Sequence, residues 1–219
     1  MNYERRYAWS VLLRLYHWAF ALSIVVLVAT GLYIAHPWTT TYLEGSAGGF
    51  PMANIRYVHF VAGFIFTSAV MVRLFLLIFG NRQERFWNFT PITIKNIKNL
   101  FSTMFFYMYL TDKHEHRLGH NVLAGCFYII TLFLAIFQII SGFYLLYPQS
   151  TFWQKWGFAI FGTQQEARFC HHMFMWYFIL FALIHIYIVV WNDIKSPEGL
   201  ISSIFNGHKF LPKASSKIK

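Results

Sequence analysis

Charge is scarce in this chain of 219 residues: 12% are Asp, Glu, Lys or Arg, against 57% hydrophobic and 21% aromatic. A soluble domain of this length does not need so many apolar side chains for its core, so the composition points to a membrane protein. Acidic residues are scarcer still. The chain has eight, all in loops or near the ends of apolar runs. That excludes a proton relay built on intramembrane carboxylates and removes a usual component of a zinc site. Cysteine is down to two, Cys126 and Cys170, in different runs near opposite membrane faces. A disulfide between them is not expected, and no metal-binding thiolate spacing exists. Alternating segments of about ten residues, the mark of a membrane β-barrel, are missing. So is a small-residue cleavage motif, and the first apolar run is expected to stay in the mature protein.

Four long apolar runs are present, at about 11–34, 57–79, 122–147 and 169–191. Each reaches the roughly 20 residues that cross a bilayer as a helix. The expectation is an all-α integral membrane protein, one membrane domain over 1–219 with four transmembrane helices in a bundle. Fifteen of the 18 Lys and Arg fall with the termini and the middle loop; Arg56, Lys155 and Arg168 fall with the other two loops. By the positive-inside rule both termini are cytoplasmic. The net charge of +10 then reads as a topology signal, not as nucleic-acid binding. Residues 91–110, with Lys95 and Lys98 leading into an aromatic stretch, read as an interfacial cytoplasmic segment, and 193–219 as a cytoplasmic tail. The outer loops, 35–55 with GSAGG and 148–166 with two tryptophans, are surfaces an external partner can touch.

Arg-x-x-His occurs four times, as RLYH (14–17), RYVH (56–59), RLGH (117–120) and RFCH (168–171). Of the ten histidines, His17, His59 and His185 sit where a spanning helix should be apolar or has only just begun. Ionisable groups at such depth are functional candidates by default. His59 and His171 begin their helices near the outer face, and His17 lies near the inner one. His185 follows His171 by fourteen residues, about 21 Å along the helix and within about 40° of the same face. One helical stripe therefore offers an imidazole near each side, with mates on helix one and helix two. Haem fits this arrangement best, because its iron takes one imidazole from each of two facing helices and its ring packs against aromatic and small side chains. Gly31, Gly63, Gly125 and Gly142 supply small positions of this kind. Arg14, Arg56 and Arg168 lie one turn nearer the surface than their histidines, where arginine pairs with a haem propionate.

The stretches RLYHWAFALSIVVLVATG (14–31) and RFCHHMFMWYFILFALIH (168–185), with GHN at 119–121, resemble the b-type cytochrome subunits of membrane-bound nickel-iron hydrogenases. The resemblance covers nearly the whole chain. Ala19, Phe169 and Cys170 depart from the usual pattern, at packing positions and not at ligands.

The resemblance implies two haems b, with axial ligands His59 and His171 for the outer one and His17 and His185 for the inner one. His172, turned about 100° from His171, is then a propionate or supporting residue. It implies partners as well: a catalytic large subunit and an iron-sulfur small subunit with its own membrane helix, outside an inner (cytoplasmic) membrane. Electrons would pass through this chain to quinone, menaquinone or ubiquinone, near the cytoplasmic side. Hydrogen splitting, and any other catalytic residue, would lie on the partners. The stretch TDKHEHRLGHN (111–121) offers His114, His116, His120 and Asn121 as quinone or proton-route candidates, since histidine titrates near neutral pH. Two alternatives remain open: the cytochrome b subunit of a formate dehydrogenase, and a haem-free membrane anchor or transporter.

Overall fold

The computed structural model describes residues 3–38, 49–111, 117–195 and 198–212. Strand β1 (Tyr3–Tyr7) precedes helices α1 (Val11–Ala35), α2 (Pro51–Phe79), α3 (Phe86–Phe89), α4 (Ile94–Tyr107), α5 (Val122–Leu146), α6 (Thr151–Phe161), α7 (Gln164–Lys195) and α8 (Leu200–Asn206). Strand β2 (His208–Pro212) closes the order. Among the described residues four helices, α1, α2, α5 and α7, are long and apolar enough to cross a membrane. Their outward faces are apolar: on α1 the exposed positions Val11, Leu15, Trp18, Leu22 and Val25 recur every three or four residues. Such a stripe on one helical face suits hydrocarbon and has no use in water.

Local chemistry sets the helix ends. Ser10 Oγ accepts the amide N–H of Leu13 at 3.1 Å and caps α1. Proline stands at the first position of α2, where its missing N–H costs nothing. Asn121 Oδ1 accepts Ala124 N–H at 2.7 Å and caps α5. Thr163 and Glu166 form a capping box before α7: Glu166 N–H reaches Thr163 Oγ1 at 3.3 Å while Glu166 Oε2 accepts Thr163 N–H at 2.7 Å. Helices α2 and α7 thus begin several residues before the apolar runs do, and His59 and His171 lie about two turns inside them.

The chain packs as two compact units. One comprises Met1–His17, Met71–Phe133 and Leu183–Lys219. Its termini pair as an antiparallel ribbon, Tyr3 opposite Pro212 through Tyr7 opposite His208. This small sheet departs from the all-helical expectation, and the C-terminal segment is not a plain tail. The turn before β2 uses Gly207 at φ +82°, and its carbonyl accepts the N–H groups of Ala8 and Trp9 at 2.8 and 3.1 Å. Ala8, Trp9, Leu13 and Leu76 form the core here. Buried Glu84 joins the loops: Oε1 accepts Ser10 N–H at 2.8 Å, Oε2 accepts Asn81 N–H at 3.0 Å, and its carbonyl accepts Arg73 Nη1 at 3.1 Å. Lys209 and Glu198, both buried, pair at 3.5 Å, and Lys209 Nζ also donates to the Arg117 carbonyl at 3.0 Å. Helix α4 is inverted, with Asn96, Asn99 and Thr103 buried and Ile94, Ile97, Phe101 and Phe105 exposed.

The other unit comprises Trp18–Val70 and Leu134–Ala182. Tyr144, Phe161 and Ala167 are its buried cluster, with Phe137, Ile140, Leu145 and Trp153 around them. Phe20 stacks on Phe66 at 4.9 Å, and Phe66 meets the edge of Phe178 at 6.2 Å. Helix α6 forms within 148–166, which the sequence alone presents as an outer loop, and Tyr144 Oη donates to the Gly162 carbonyl at 3.0 Å just past its end.

Candidate haem-binding site

Among the described residues His, Cys, Asp and Glu nowhere gather in threes to hold a metal ion unaided. The imidazoles come instead in twos, one pair in each unit. His17 of α1 and His185 of α7 face each other with ring centroids 6.4 Å apart and planes inclined by 47°. Two imidazole nitrogens about 2 Å from one metal ion, on opposite sides of it, put their ring centroids about 6 Å apart. The spacing therefore fits bis-imidazole ligation of one iron. Arg14, one turn before His17, gives Nη1 to the Phe205 carbonyl and keeps Nε buried without a hydrogen-bond partner. A buried guanidinium N–H left over in this way is what an acidic group such as a propionate would satisfy.

In the other unit His59 of α2 and His171 of α7 are close enough to interact electrostatically. Each ring has the same two kinds of neighbour, a hydroxyl and a glycine. Thr30 Oγ1 lies 2.8 Å from His59 Nδ1, and a Cβ on the next residue, Gly31, would sit 3.5 Å from His59 Cε1. Ser141 Oγ lies 2.7 Å from His171 Nδ1, and a Cβ on Gly142 would sit 3.5 Å from His171 Cε1. A hydroxyl holds one side of each imidazole and a glycine clears the space beside it, which leaves Nε2 as the atom presented. Gln138 Nε2 donates to the His171 carbonyl at 3.0 Å, tying α5 to this stretch of α7. The sequence reading gives Gly31 and Gly142 only as small positions and does not include Ser141 or Gln138. The signal it had was a hydroxyl-glycine pair, Thr30-Gly31 and Ser141-Gly142, inside each of two apolar helices.

The remaining candidates are more scattered. Arg56 and Arg168 are exposed on α2 and α7. His172 points elsewhere than His171, edge-on to Trp176 at 6.3 Å. His120 stacks on Trp9 at 4.5 Å and meets the edges of Tyr128 at 4.6 Å and Phe89 at 6.3 Å. Burial, reinforced by the positive charge of Arg73 and Lys209, pushes its imidazole well below the usual range, so it is neutral at pH 7. Tyr128 also lies 6.2 Å from His185, ring to ring. Close by, Asn192 Nδ2 donates to Tyr107 Oη at 2.9 Å, and Tyr107 also hydrogen-bonds Asn121. Asn121 is thus both helix cap and tyrosine partner. His114 and His116, with Asp112 and Glu115, lie outside the described residues.

Comparison with known proteins gives the family. The chain is 31% identical over 211 residues to the probable Ni/Fe-hydrogenase B-type cytochrome subunit of Cupriavidus necator, covering 93% of this chain and 86% of that one. Its identity to the subunit of the same name from Bradyrhizobium diazoefficiens is 34% over 213 residues, covering 93% and 85%. The probable Ni/Fe-hydrogenase 1 B-type cytochrome subunit of Escherichia coli K12 is 27% identical over 221 residues, covering 95% and 94%. The prokaryotic cytochrome b561 family matches residues 8–207, nearly the whole chain. By that match the chain belongs to the prokaryotic cytochrome b561 family, multi-pass membrane proteins that bind haem b.

Proposed function

We propose that this chain is the di-haem membrane subunit of a nickel-iron hydrogenase complex, passing electrons from an externally facing hydrogenase to the quinone pool. The observation that carries the reading is the 6.4 Å opposition of His17 and His185, repeated in kind by the hydroxyl-held pair His59 and His171. Relatives named as hydrogenase cytochrome subunits, matched over almost their full length, support the choice of partner.

His17 with His185 would hold the inner haem, and His59 with His171 the outer one. Haem b supplies one-electron redox chemistry there, tuned by its ligands and their burial. The protein's own part is to place the imidazoles, keep water from them with apolar helices, and balance charge at the membrane surfaces. Arg14 Nε is the inner group for a propionate; Arg56 and Arg168, exposed one turn before the outer ligands, serve the other face, with His172 beside them. The excess of Lys and Arg with the termini and the middle loop supports cytoplasmic termini in an inner membrane. Helix α4, with its apolar side exposed and its asparagines inward, suits a helix lying in the cytoplasmic interface.

Quinone belongs on the inner side, beside His120 and Asn121. A neutral imidazole can hand a hydrogen bond to a quinone carbonyl without first losing a charge, and Tyr128 bridges the space between His120 and His185. His114 and His116 are the remaining candidates for a proton route.

The test is purification from membranes with the partner subunits, a hydrogen-reduced minus oxidised spectrum, and reoxidation by quinone. Reduction of two haem equivalents by hydrogen, reversed by quinone, is expected. An intact complex whose haems hydrogen does not reduce would remove the hydrogenase assignment.

A further inference from the structure

The two hydroxyls beside the outer histidines do more than fill space, and proton counting shows why. A Thr or Ser hydroxyl owns one proton and two lone pairs. Thr30 Oγ1 lies 2.6 Å from the Val26 carbonyl and 3.3 Å from that of Leu27, in the helical geometry in which a hydroxyl donates backward along its own helix. Ser141 Oγ does the same to the Gln138 carbonyl at 3.1 Å. A carbonyl oxygen can only accept, so each hydroxyl proton is committed to the backbone. What the hydroxyl offers the imidazole is then a lone pair, and the hydrogen shared with Nδ1 at 2.8 or 2.7 Å must come from the ring. In a neutral imidazole the other nitrogen is left with a free lone pair.

We propose that Thr30 and Ser141 are positioning residues: they fix the proton of His59 and of His171 on Nδ1, so that each ring presents a deprotonated Nε2 to iron in a single orientation. The two helices that carry the hydroxyls, α1 and α5, carry neither outer ligand, so the ligands and their orienters are divided between two helix pairs. The adjacent glycines complete the device, since Gly31 and Gly142 leave open the flank of each ring beside Cε1. An acceptor on Nδ1–H also makes an imidazole a stronger electron donor, which favours ferric over ferrous iron.

The proposal rests on the haem reading of these two histidines, and the experiment separates the two. In the complex purified with its partners, haem content is measured together with a potentiometric titration of each haem for Thr30→Val, Ser141→Ala, Thr30→Ser and Ser141→Thr. Full haem content is expected in the first two, with the outer haem shifted to higher potential. A tenfold change in its ferrous-to-ferric ratio at fixed poise is the scale, about 59 mV for one electron. Thr30→Ser and Ser141→Thr keep the hydroxyl and should keep the wild-type potential. Unchanged potentials in Thr30→Val and Ser141→Ala would overturn the proposal. If either loses haem, the hydroxyl-keeping variant decides: recovery of haem and potential supports the role, and continued loss overturns it. Failure of the haem reading looks different, because His59→Ala and His171→Ala would then leave haem content at the wild-type level.

Discussion

His17 and His185 stand 6.4 Å apart, ring centroid to ring centroid, on helices α1 and α7. One iron held between them, as proposed, would need both. His17→Ala and His185→Ala should therefore each remove one haem equivalent while leaving the second in place, and the double variant should lose no more than either single one. Haem quantified by its alkaline pyridine spectrum against protein decides this. Loss of both haems from His17→Ala, with the fold intact, would contradict two independent pairs.

Glu84 is the fastener of the unit that holds this pair. Its carboxylate accepts two loop amides and lies near the buried Arg73, whose guanidinium donates to the Glu84 carbonyl. Removing a buried carboxylate leaves unsatisfied donors and an uncompensated cation, which costs about 3 kcal/mol. Glu84→Ala should lower thermal stability in detergent by that amount, with earlier haem release on heating. A melting curve superposed on wild type would show that the cluster adds nothing.

The glycines beside the outer histidines separate folding from cofactor binding. A Cβ at Gly31 or Gly142 would meet its imidazole at 3.5 Å, an ordinary contact that the protein alone tolerates. Replacing a helical glycine by alanine favours the helix by up to about 1 kcal/mol. Gly31→Ala and Gly142→Ala should thus leave the apoprotein as stable as wild type or more so, yet weaken haem retention at His59 and His171. Normal retention of haem in both would show that the macrocycle does not pass over these glycines.

The spanning helices are legible in the sequence because each must satisfy its backbone within one segment and is apolar along its length. The histidine pairs are legible for a related reason: an imidazole in hydrocarbon stands out, and fourteen residues return nearly to the same helical face. The terminal ribbon is not legible, since Tyr3–Tyr7 and His208–Pro212 carry no strong pattern of their own and find each other only across the folded chain. Thr30 and Ser141 were hidden in the same way. They act on histidines of other helices, and a lone hydroxyl in an apolar run resembles a hydroxyl bonded to its own backbone, which each of these also is. The early starts of α2 and α7 lie outside the apolar runs because a proline opens the first helix and a polar capping-box turn opens the second.

His120 offers the last test, through pH. Its enclosure by Trp9, Phe89 and Tyr128, with the positive charges of Arg73 and Lys209 nearby, lowers its proton affinity in the folded protein. In the unfolded chain the group titrates near its ordinary value of about 6.5. The unfolded state therefore binds a proton that the folded state refuses once the pH falls below about 6.5, and folding stability drops by up to about 1.4 kcal/mol per pH unit until the folded imidazole also titrates. Above that pH the group is neutral in both states and contributes no slope. His120→Phe, which keeps the aromatic packing and cannot titrate, should flatten part of the acid-side loss seen in wild type. Thermal melts of both proteins from pH 7.5 to pH 5 measure the difference. If quinone binds here as proposed, the same variant should keep its haem spectrum and lose quinone reduction; parallel pH profiles with undiminished quinone reduction would remove His120 from both roles.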